Sequence, residues 1–351
     1  MAWAKVLGEI NQAVQAQGPI GLDLLRRQKI AAVALLTGRP LILYGTACTT
    51  PGKTVPNMLL MIEPGDKVGF DEVTRNVPGP ALDVLLHSPG GMADAAAALV
   101  DLLRQRFNDI RFIVPFYAKS AATMLALAGN EVLMTTAAEI GPIDPQMQVI
   151  LPNGVQMYSP AYALKEQYER AQGEVNNDPT RFPGWVATLS HPSRLVECEL
   201  AIKRSTELVE KWLKQWMFAG DPDADKKAKD IAEYLGNHSH FNSHGYPIRL
   251  GDPKLAAAKI ARTNTVSQAF EDAVRELYCA LDHTFTMTGA VKIFENCLTP
   301  TDCVVRSIQQ VVVQVPQQPP VAPAPGAPTP QAPGKPAVPA PAAPPRPPGT
   351  P

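Results

Sequence analysis

Two short segments of this sequence combine chemistry-bearing residues with a predicted strand-to-helix turn. Ser88-Pro89-Gly90-Gly91 follows one apolar run, and Lys119-Ser120-Ala121-Ala122-Thr123 follows the next. Glycines let backbone N–H groups approach a substrate closely, and preorganised N–H donors stabilise the oxyanion of a tetrahedral intermediate. A serine hydroxyl beside such donors is the arrangement that nucleophilic acyl transfer requires.

Each segment also has an ordinary structural interpretation. The Gly90-Gly91 pair is typical of a tight turn without chemistry, and Ser120 is typical of a helix N-cap. Two features favour chemistry: the small residues after Ser120 leave space beside its hydroxyl, and both turns follow strands that we expect to be neighbours. Under this interpretation Ser120 is the nucleophile and the Gly91 N–H is the best oxyanion donor.

The elements that must position these residues follow from the hydrophobic pattern. Strands are predicted at 81–87, 111–116 and 131–134, and helices at 92–107 and 120–128. The second helix is composed almost entirely of small and apolar residues, which indicates complete burial. The alternation of strands and helices predicts an α/β fold in which helices pack around a parallel sheet.

The flanking segments are predicted to be mainly helical. Helices are expected at 3–17 and 22–37 before a short strand at 41–44, and further helices at 161–172, 195–218, 225–235 and 265–285. Residues 316–351 hold 16 of the 36 prolines and are predicted to be a disordered tail with polyproline character. Such a tail can tether the protein or bind a partner.

Composition and charge exclude several classes of protein. A net charge of −1 without a basic run argues against a nucleic-acid partner. The five cysteines form no CxxC pair, which argues against a disulfide framework or a zinc ribbon. The sequence does not contain the GxGxxG fingerprint of a dinucleotide-binding fold, so no cofactor is expected. Neither a signal peptide nor a membrane-spanning run is predicted, and we expect a cytoplasmic protein.

Three motifs together resemble the serine dehydrogenase proteinase family of the Clp/crotonase superfamily, which is related to signal peptide peptidase A. They are LHSPGG at 86–91, PFYAKSAAT at 115–123 and MTTAAEIGPIDPQ at 134–146, and the resemblance extends over about residues 20–260. It implies an α/β Clp/crotonase-like spiral of ββα units with a mainly parallel sheet and a helical C-terminal part. It also implies that the protein is a peptidase rather than a redox enzyme.

The resemblance implies roles for individual residues. Ser120 matches the family nucleophile, and the backbone N–H groups of Gly91 and Ala121 match the oxyanion donors. Clp proteases carry a histidine after the nucleophile helix, whereas this chain has Asp144 in that neighbourhood. In the signal peptide peptidase branch the base is a lysine 40 to 50 residues after the serine, and Lys165 lies 165 − 120 = 45 residues on.

A lysine is a base at neutral pH only if burial lowers its pKa. The apolar residues around Lys165 favour that role, whereas Glu166 and Glu169 favour an ordinary solvated helix lysine. His87 precedes the glycine turn and is expected to be a buried hydrogen-bonding residue. His238, His240 and His244 are interpreted as part of a polar loop rather than a metal site, because no cysteine lies near them.

We therefore predict a serine endopeptidase with a Ser120–Lys165 dyad. Its predicted parts are N-terminal helices (1–40), a peptidase domain (41–260), a helical extension (261–315) and the tail (316–351). Its substrate is expected to be a peptide or protein, and the chain is expected to form a homo-oligomer. Peripheral attachment to a membrane is compatible with the sequence. The alternatives are a crotonase-like enzyme acting on acyl thioesters, which uses carboxylates as acid and base, and a catalytically silent oligomeric scaffold.

Overall fold

The structure of the chain is a computed structural model. It describes residues 2–53, 55–150, 153–188, 193–298 and 303–307. The chain divides into two units, residues 1–309 and 310–351, and the second of them lies outside the described residues, together with the predicted tail. Within the described part, no helix has both the length and the apolar character needed to cross a bilayer.

A seven-stranded sheet forms the centre of the first unit. Its strands are, in spatial order, β10 (Ile260–Arg262), β5 (Glu131–Met134), β3 (Asp109–Val114), β2 (Ala81–His87), β1 (Leu41–Thr46), β11 (Ala290–Asn296) and β12 (Cys303–Ser307). The first five run parallel, and β11 and β12 are antiparallel to their neighbours. The carboxyl ends of β2 and β3 therefore lie side by side, which brings the segments that follow them together.

Helices cover both faces of this sheet. They are α1 (Ala2–Gln17), α2 (Gly21–Thr37), α3 (Asp66–Thr74), α4 (Ala93–Arg104), α5 (Ala121–Leu127), α6 (Ala161–Asn177), α7 (Phe182–Thr188), α8 (Arg194–Trp212), α9 (Ala224–Gly236), α10 (His238–Phe241) and α11 (Gln268–Met287). A five-residue π-helical turn, Leu213–Met217, continues α8.

Alternate residues of the strands pack into two different cores. Ile42 and Tyr44 of β1 belong to the core beneath α4, α5, α8 and α9, whereas Leu41 and Leu43 belong to the core beneath α2 and α11. All six residues of β1 are buried. A strand that is buried on both faces has a nearly continuous run of apolar residues in its sequence. This run is the signal from which the central strands were predicted.

Two smaller sheets lie beside the central one. The first joins β4 (Tyr117–Ala118), β6 (Glu139–Ile140) and β9 (Ile248–Arg249), and the second is the hairpin of β7 (Gln146–Ile150) and β8 (Gln156–Pro160). β4 ends two residues before Ser120, and β9 follows the segment that contains His238, His240 and His244. The small sheet therefore connects three distant segments of chain next to the predicted nucleophile.

The predicted α/β class with a mainly parallel sheet is confirmed. The segment 261–315 contains the predicted helix, now α11, but it also supplies β11 and β12, two strands that the sequence analysis missed. β11 lies between β1 and β12 in the main sheet, so this part of the chain helps to build the central core. The division of the chain into four parts stays a prediction.

Candidate active site

The segments after β2 and β3 are joined by backbone hydrogen bonds. The N–H of Ser88 donates to the carbonyl of Tyr117 at 2.9 Å, and the N–H of Lys119 donates to the carbonyl of Ser88 at 3.1 Å. These two bonds bring the glycine turn beside the turn that carries Ser120. The juxtaposition expected from neighbouring parallel strands is therefore present.

Ser120 has an unusual backbone conformation. Its φ of 52° and ψ of −122° lie outside the regions that a residue with a Cβ normally occupies. It stands at the N-cap position of α5, but its side chain makes no capping hydrogen bond. Such strained residues cluster at active sites, where a sharp turn exposes the nucleophile. An N-cap function alone does not explain this conformation.

Gly90 and Gly91 are required by close contacts on both sides. A Cβ on Gly90 would lie 2.4 Å from the carbonyl oxygen of Lys119 and 2.7 Å from the Cβ of Ser120. A Cβ on Gly91 would lie 2.3 Å from the carbonyl oxygen of Ile62. Both glycines also have positive φ, 96° and 155°. No other residue fits at either position without moving the backbone next to Ser120.

The residue Ile62 fixes the outer side of the glycine turn. Its N–H donates to the carbonyl of Gly90 at 2.7 Å, and its carbonyl accepts from the N–H of Met92 at 2.9 Å. Gly91 is held between these two bonds. Within the described residues, the N–H groups of Gly91 and Ala121 donate to no other backbone group. The backbone hydrogen bonds around the two turns therefore leave these two N–H groups unused.

Replacement of Gly90 by alanine tests this close approach. We expect Gly90→Ala to abolish any activity that depends on Ser120, because the new methyl group collides with Lys119 and Ser120. The check compares hydrolysis by Gly90→Ala with hydrolysis by Gly173→Ala, since a Cβ on Gly173 meets nothing within 4 Å. Full activity in Gly90→Ala would contradict the assignment of this turn to the site.

Lys119 is adjacent to Ser120 in the sequence, but its side chain contacts groups other than Ser120. Its Nζ pairs with Glu139 at 2.8 Å and donates to the carbonyl oxygens of Ile140 at 3.1 Å and Tyr246 at 3.3 Å. Burial lowers the pKa of the amine, and Glu139 opposes that effect. The ammonium thus ties β4, β6 and the loop before β9 together, and this function explains its burial.

Lys165, the predicted base, lies in the second turn of α6. Its Nζ is 3.7 Å from Glu199 and 3.9 Å from Glu169, and 37% of the side chain is exposed. Glu166 pairs instead with Arg170. Within the described residues, Lys165 makes no hydrogen bond or ion pair with Ser120. The structure brings Ser120, Gly91 and Ala121 together, and Lys165 has the environment of a solvated helix lysine.

His87 is a buried neutral residue below the glycine turn. Its Nε2 lies 3.0 Å from the hydroxyl of Thr49, and its ring packs edge-on against Tyr278. Burial lowers the pKa of this imidazole to about 3. His87 therefore stays uncharged at neutral pH, as expected of a buried hydrogen-bonding residue.

Asp144 connects two of the three loop histidines. The carboxylate is fully buried; Oδ1 is 2.7 Å from Nδ1 of His244, and Oδ2 is 2.8 Å from Nδ1 of His238. Gln146 donates its amide to Oδ2 at 3.2 Å. The sequence pattern predicts only a polar loop for the histidines and no partner for Asp144, because 94 and 100 residues separate Asp144 from these two histidines.

His240 differs from the other two histidines. Its ring contacts Tyr234 and Phe241. Across the part of the chain that the structure describes, no group of three or more His, Cys, Asp or Glu side chains is arranged to hold a metal ion. The histidine-containing loop is thus organised around a buried carboxylate.

Comparison with known proteins places these features in a family. The family model of the ClpP-like SDH-type serine proteinases matches residues 62–280, which include both turns and the Asp144 cluster. This match confirms the resemblance drawn from the three sequence motifs.

Two curated proteins are similar to about half of this chain. The uncharacterized protein MJ1495 of Methanocaldococcus jannaschii is 31% identical over 198 residues, 56% of this chain and 56% of that protein. The uncharacterized protein MJ0137 of the same organism is 27% identical over 173 residues, 49% of this chain and 51% of that protein. The matched region thus spans about half the length of these curated relatives.

One solved structure that matches is a mutant of the 1510-N membrane-bound stomatin-specific protease. It is 23% identical, the match covers 33% of this chain and 58% of that chain, and the TM-score is 0.24.

Proposed function

Because this chain belongs to the family of ClpP-like SDH-type serine proteinases, we propose that it hydrolyses peptide bonds through Ser120. The hydroxyl of Ser120 attacks the carbonyl carbon of the substrate. The N–H groups of Gly91 and Ala121 hold the resulting oxyanion, and water then hydrolyses the acyl-enzyme. The substrate is a peptide or a protein segment.

The observation that carries this proposal is the positive φ of Ser120, together with its close packing against Gly90. A positive φ at a residue with a Cβ costs about 1–3 kcal/mol and persists only where the surrounding structure imposes it. Here the surroundings are a glycine turn whose close packing excludes any side chain, and two N–H groups that have no backbone partner among the described residues. This arrangement supports attack by a hydroxyl on a carbonyl better than it supports a structural turn.

The base is less well supported than the nucleophile. The Ser120–Lys165 dyad stays a prediction, and it requires a lysine whose pKa is lowered by burial. Lys165 is partly exposed and lies near two glutamates, which is the environment of a solvated lysine. A homo-oligomer in which a second copy covers α6 would alter that environment, and both the oligomer and peripheral membrane attachment stay predictions.

The proposal is tested by covalent labelling. We expect a fluorophosphonate probe to modify the native protein at one serine, because only an activated hydroxyl reacts readily with such a probe. Peptide mapping by mass spectrometry is expected to find the adduct on Ser120, and protein unfolded in urea is expected to remain unlabelled. An adduct on another serine, or none on the native protein, would contradict the proposal.

A further inference from the structure

We propose that a cavity between β6, β9 and β10 binds a carboxylate of the peptide substrate through Arg249 and Arg262. The inference rests on the proposed peptidase function and names a chemical feature of the substrate. That carboxylate belongs either to an acidic side chain or to the C-terminus of the peptide, and matched peptides distinguish these two sources.

The cavity lies where the small sheet of β4, β6 and β9 meets the edge strand β10 of the main sheet. Its volume is about 270 Å³, and the apolar part of its wall includes Met134, Ile140, Leu255 and Ile260. Sites for whole small molecules measure about 300–1,000 Å³. This cavity is therefore of a size to take a side chain or a chain end of a longer ligand.

Two exposed arginines, Arg249 and Arg262, supply the positive charge of the wall. Within the part of the chain that the structure describes, neither guanidinium group has an ion-pair or hydrogen-bond partner. Most other described arginines do pair with a carboxylate, as Arg75 does with Glu72 at 2.8 Å. The two cavity arginines thus keep all their N–H donors for a ligand.

The nearby carboxylates have other partners. Asp252 also lines the cavity, and its Oδ2 accepts from the hydroxyl of Tyr234 at 2.7 Å. Glu139 lies opposite Arg249 in the strand register, but its carboxylate pairs with Lys119 at 2.8 Å. Two guanidinium groups and one carboxylate leave the wall with a net positive charge. A guanidinium binds a carboxylate through two parallel N–H···O bonds, which makes a carboxylate the fitting ligand.

Strand pairing gives the separation between the cavity and the predicted nucleophile. Tyr117 lies opposite Glu139, which lies opposite Arg249. Adjacent strands are about 4.8 Å apart, so the backbone of Arg249 is about 10 Å from Tyr117, shortly before Ser120. Burial lowers the pKa of Lys119, and the charge of Arg249 lowers it further, which agrees with this proximity. An extended peptide advances about 3.3 Å per residue, so about three to five residues separate the carboxylate from the scissile bond.

The cavity and the helix that follows the predicted nucleophile lie on the same face of the main sheet. Met134 and Ile140 belong to the same core cluster as Ala121, the first residue of α5. Ile260 of β10 packs against that cluster, and Arg262, two residues further on, shares its face because side chains alternate along a strand. One extended substrate can therefore contact both places without crossing the sheet.

The test uses fluorogenic peptides of one central sequence, hydrolysed by the full-length protein. Glutamate or its neutral partner glutamine is placed at each position within about five residues of the scissile bond, and each peptide is made with a C-terminal carboxyl group or amide. We expect one carboxylate to raise kcat/KM at least about 10-fold, mainly through a lower KM, because a charge-assisted hydrogen-bond pair strengthens binding. A glutamate effect identifies a side chain, and a carboxyl effect identifies the chain end.

Arginine variants assign that preference to the cavity. We expect Arg249→Gln and Arg262→Gln each to weaken the preference for the carboxylate, and the double variant to reduce it to less than about 2-fold, because glutamine cannot form the paired charged bonds. The matched control is Arg75→Gln, an exposed arginine of α3 that pairs with Glu72. α3 packs on β11 and β12, at the opposite edge of the sheet, so this variant is expected to keep the full preference.

The outcomes separate this inference from the proposed function. Equal kcat/KM values for charged and neutral peptides, or a preference that survives in the double variant, would overturn the cavity assignment while Ser120 still reacts with the fluorophosphonate. Absence of that adduct in the wild type would overturn both proposals. Thermal unfolding shows whether the double variant is folded; if it is not, Arg249→Lys and Arg262→Lys, which keep the charge but lose the paired donors, must weaken the preference for the assignment to stand.

Discussion

Ser120→Ala is expected to lower kcat for peptide hydrolysis by at least about 10³-fold while leaving the fold intact. Removal of the nucleophile leaves only the oxyanion donors and substrate binding, which in serine peptidases account for a small residual rate. The fold should survive because alanine also has a Cβ and keeps the backbone strain at φ 52° unchanged. The measurement is steady-state hydrolysis of a fluorogenic peptide beside thermal unfolding.

A second substitution at the same position separates chemistry from strain. Ser120→Gly is expected to be as inactive as Ser120→Ala, but to be more stable by about 1 kcal/mol, because glycine adopts a positive φ without cost. The control is Ser205→Ala, which removes a buried hydroxyl that donates to the carbonyl of Ile202 in its own helix. Activity retained in Ser120→Ala would refute the nucleophile assignment.

The central unit was predictable because every local signal there agrees with the tertiary structure. The strand predicted at 131–134 occurs at Glu131–Met134, and the buried helix predicted at 120–128 occurs at Ala121–Leu127. The strands are mostly apolar, and glycines stand where the chain turns sharply. The order of these elements was therefore sufficient to bring Gly91 and Ser120 to one edge of the sheet.

The strand β11 was missed because its buried residues include charged ones. Lys292, Glu295 and Asn296 break the apolar run, yet all three are fully buried. Glu295 pairs with Arg26 and Arg27 of α2. Hydrophobic periodicity identifies buried segments by their apolar residues, so it does not detect a strand whose buried charges are neutralised by partners far away in sequence.

The Asp144 cluster was missed for a related reason. The turn motifs led to the prediction of Ser120, and the resemblance to the signal peptide peptidase branch led to the prediction of Lys165. The contact of Asp144 with His244 spans 100 residues and depends on where β6 and β9 pair. The sequence contains one usable signal, three histidines within seven residues, but that composition does not indicate which buried carboxylate the histidines contact.

Lys292→Met is expected to destabilise the protein by about 3–5 kcal/mol, because it leaves a buried carboxylate without its cation. Lys292 Nζ lies 2.8 Å from Oδ1 of Asp66, and both side chains are essentially inaccessible to solvent. Tyr44 and the N–H of Glu63 continue to donate to the carboxylate but do not neutralise its charge. Urea unfolding of the variant and the wild type measures the difference in free energy.

The same substitution is also expected to lower activity in the fraction that remains folded. Lys292 Nζ donates to the carbonyl of Met61 at 2.8 Å, and the next residue, Ile62, holds Gly91 between two backbone hydrogen bonds. Adding Asp66→Asn removes the buried carboxylate charge, so the double variant should recover part of the stability but not the activity. The exposed pair Lys229–Glu233 provides the control, since Lys229→Met should change stability by less than about 0.5 kcal/mol. Equal stabilities for Lys292→Met and Lys229→Met would show that the buried ion pair does not hold β11 to the segment beneath the glycine turn.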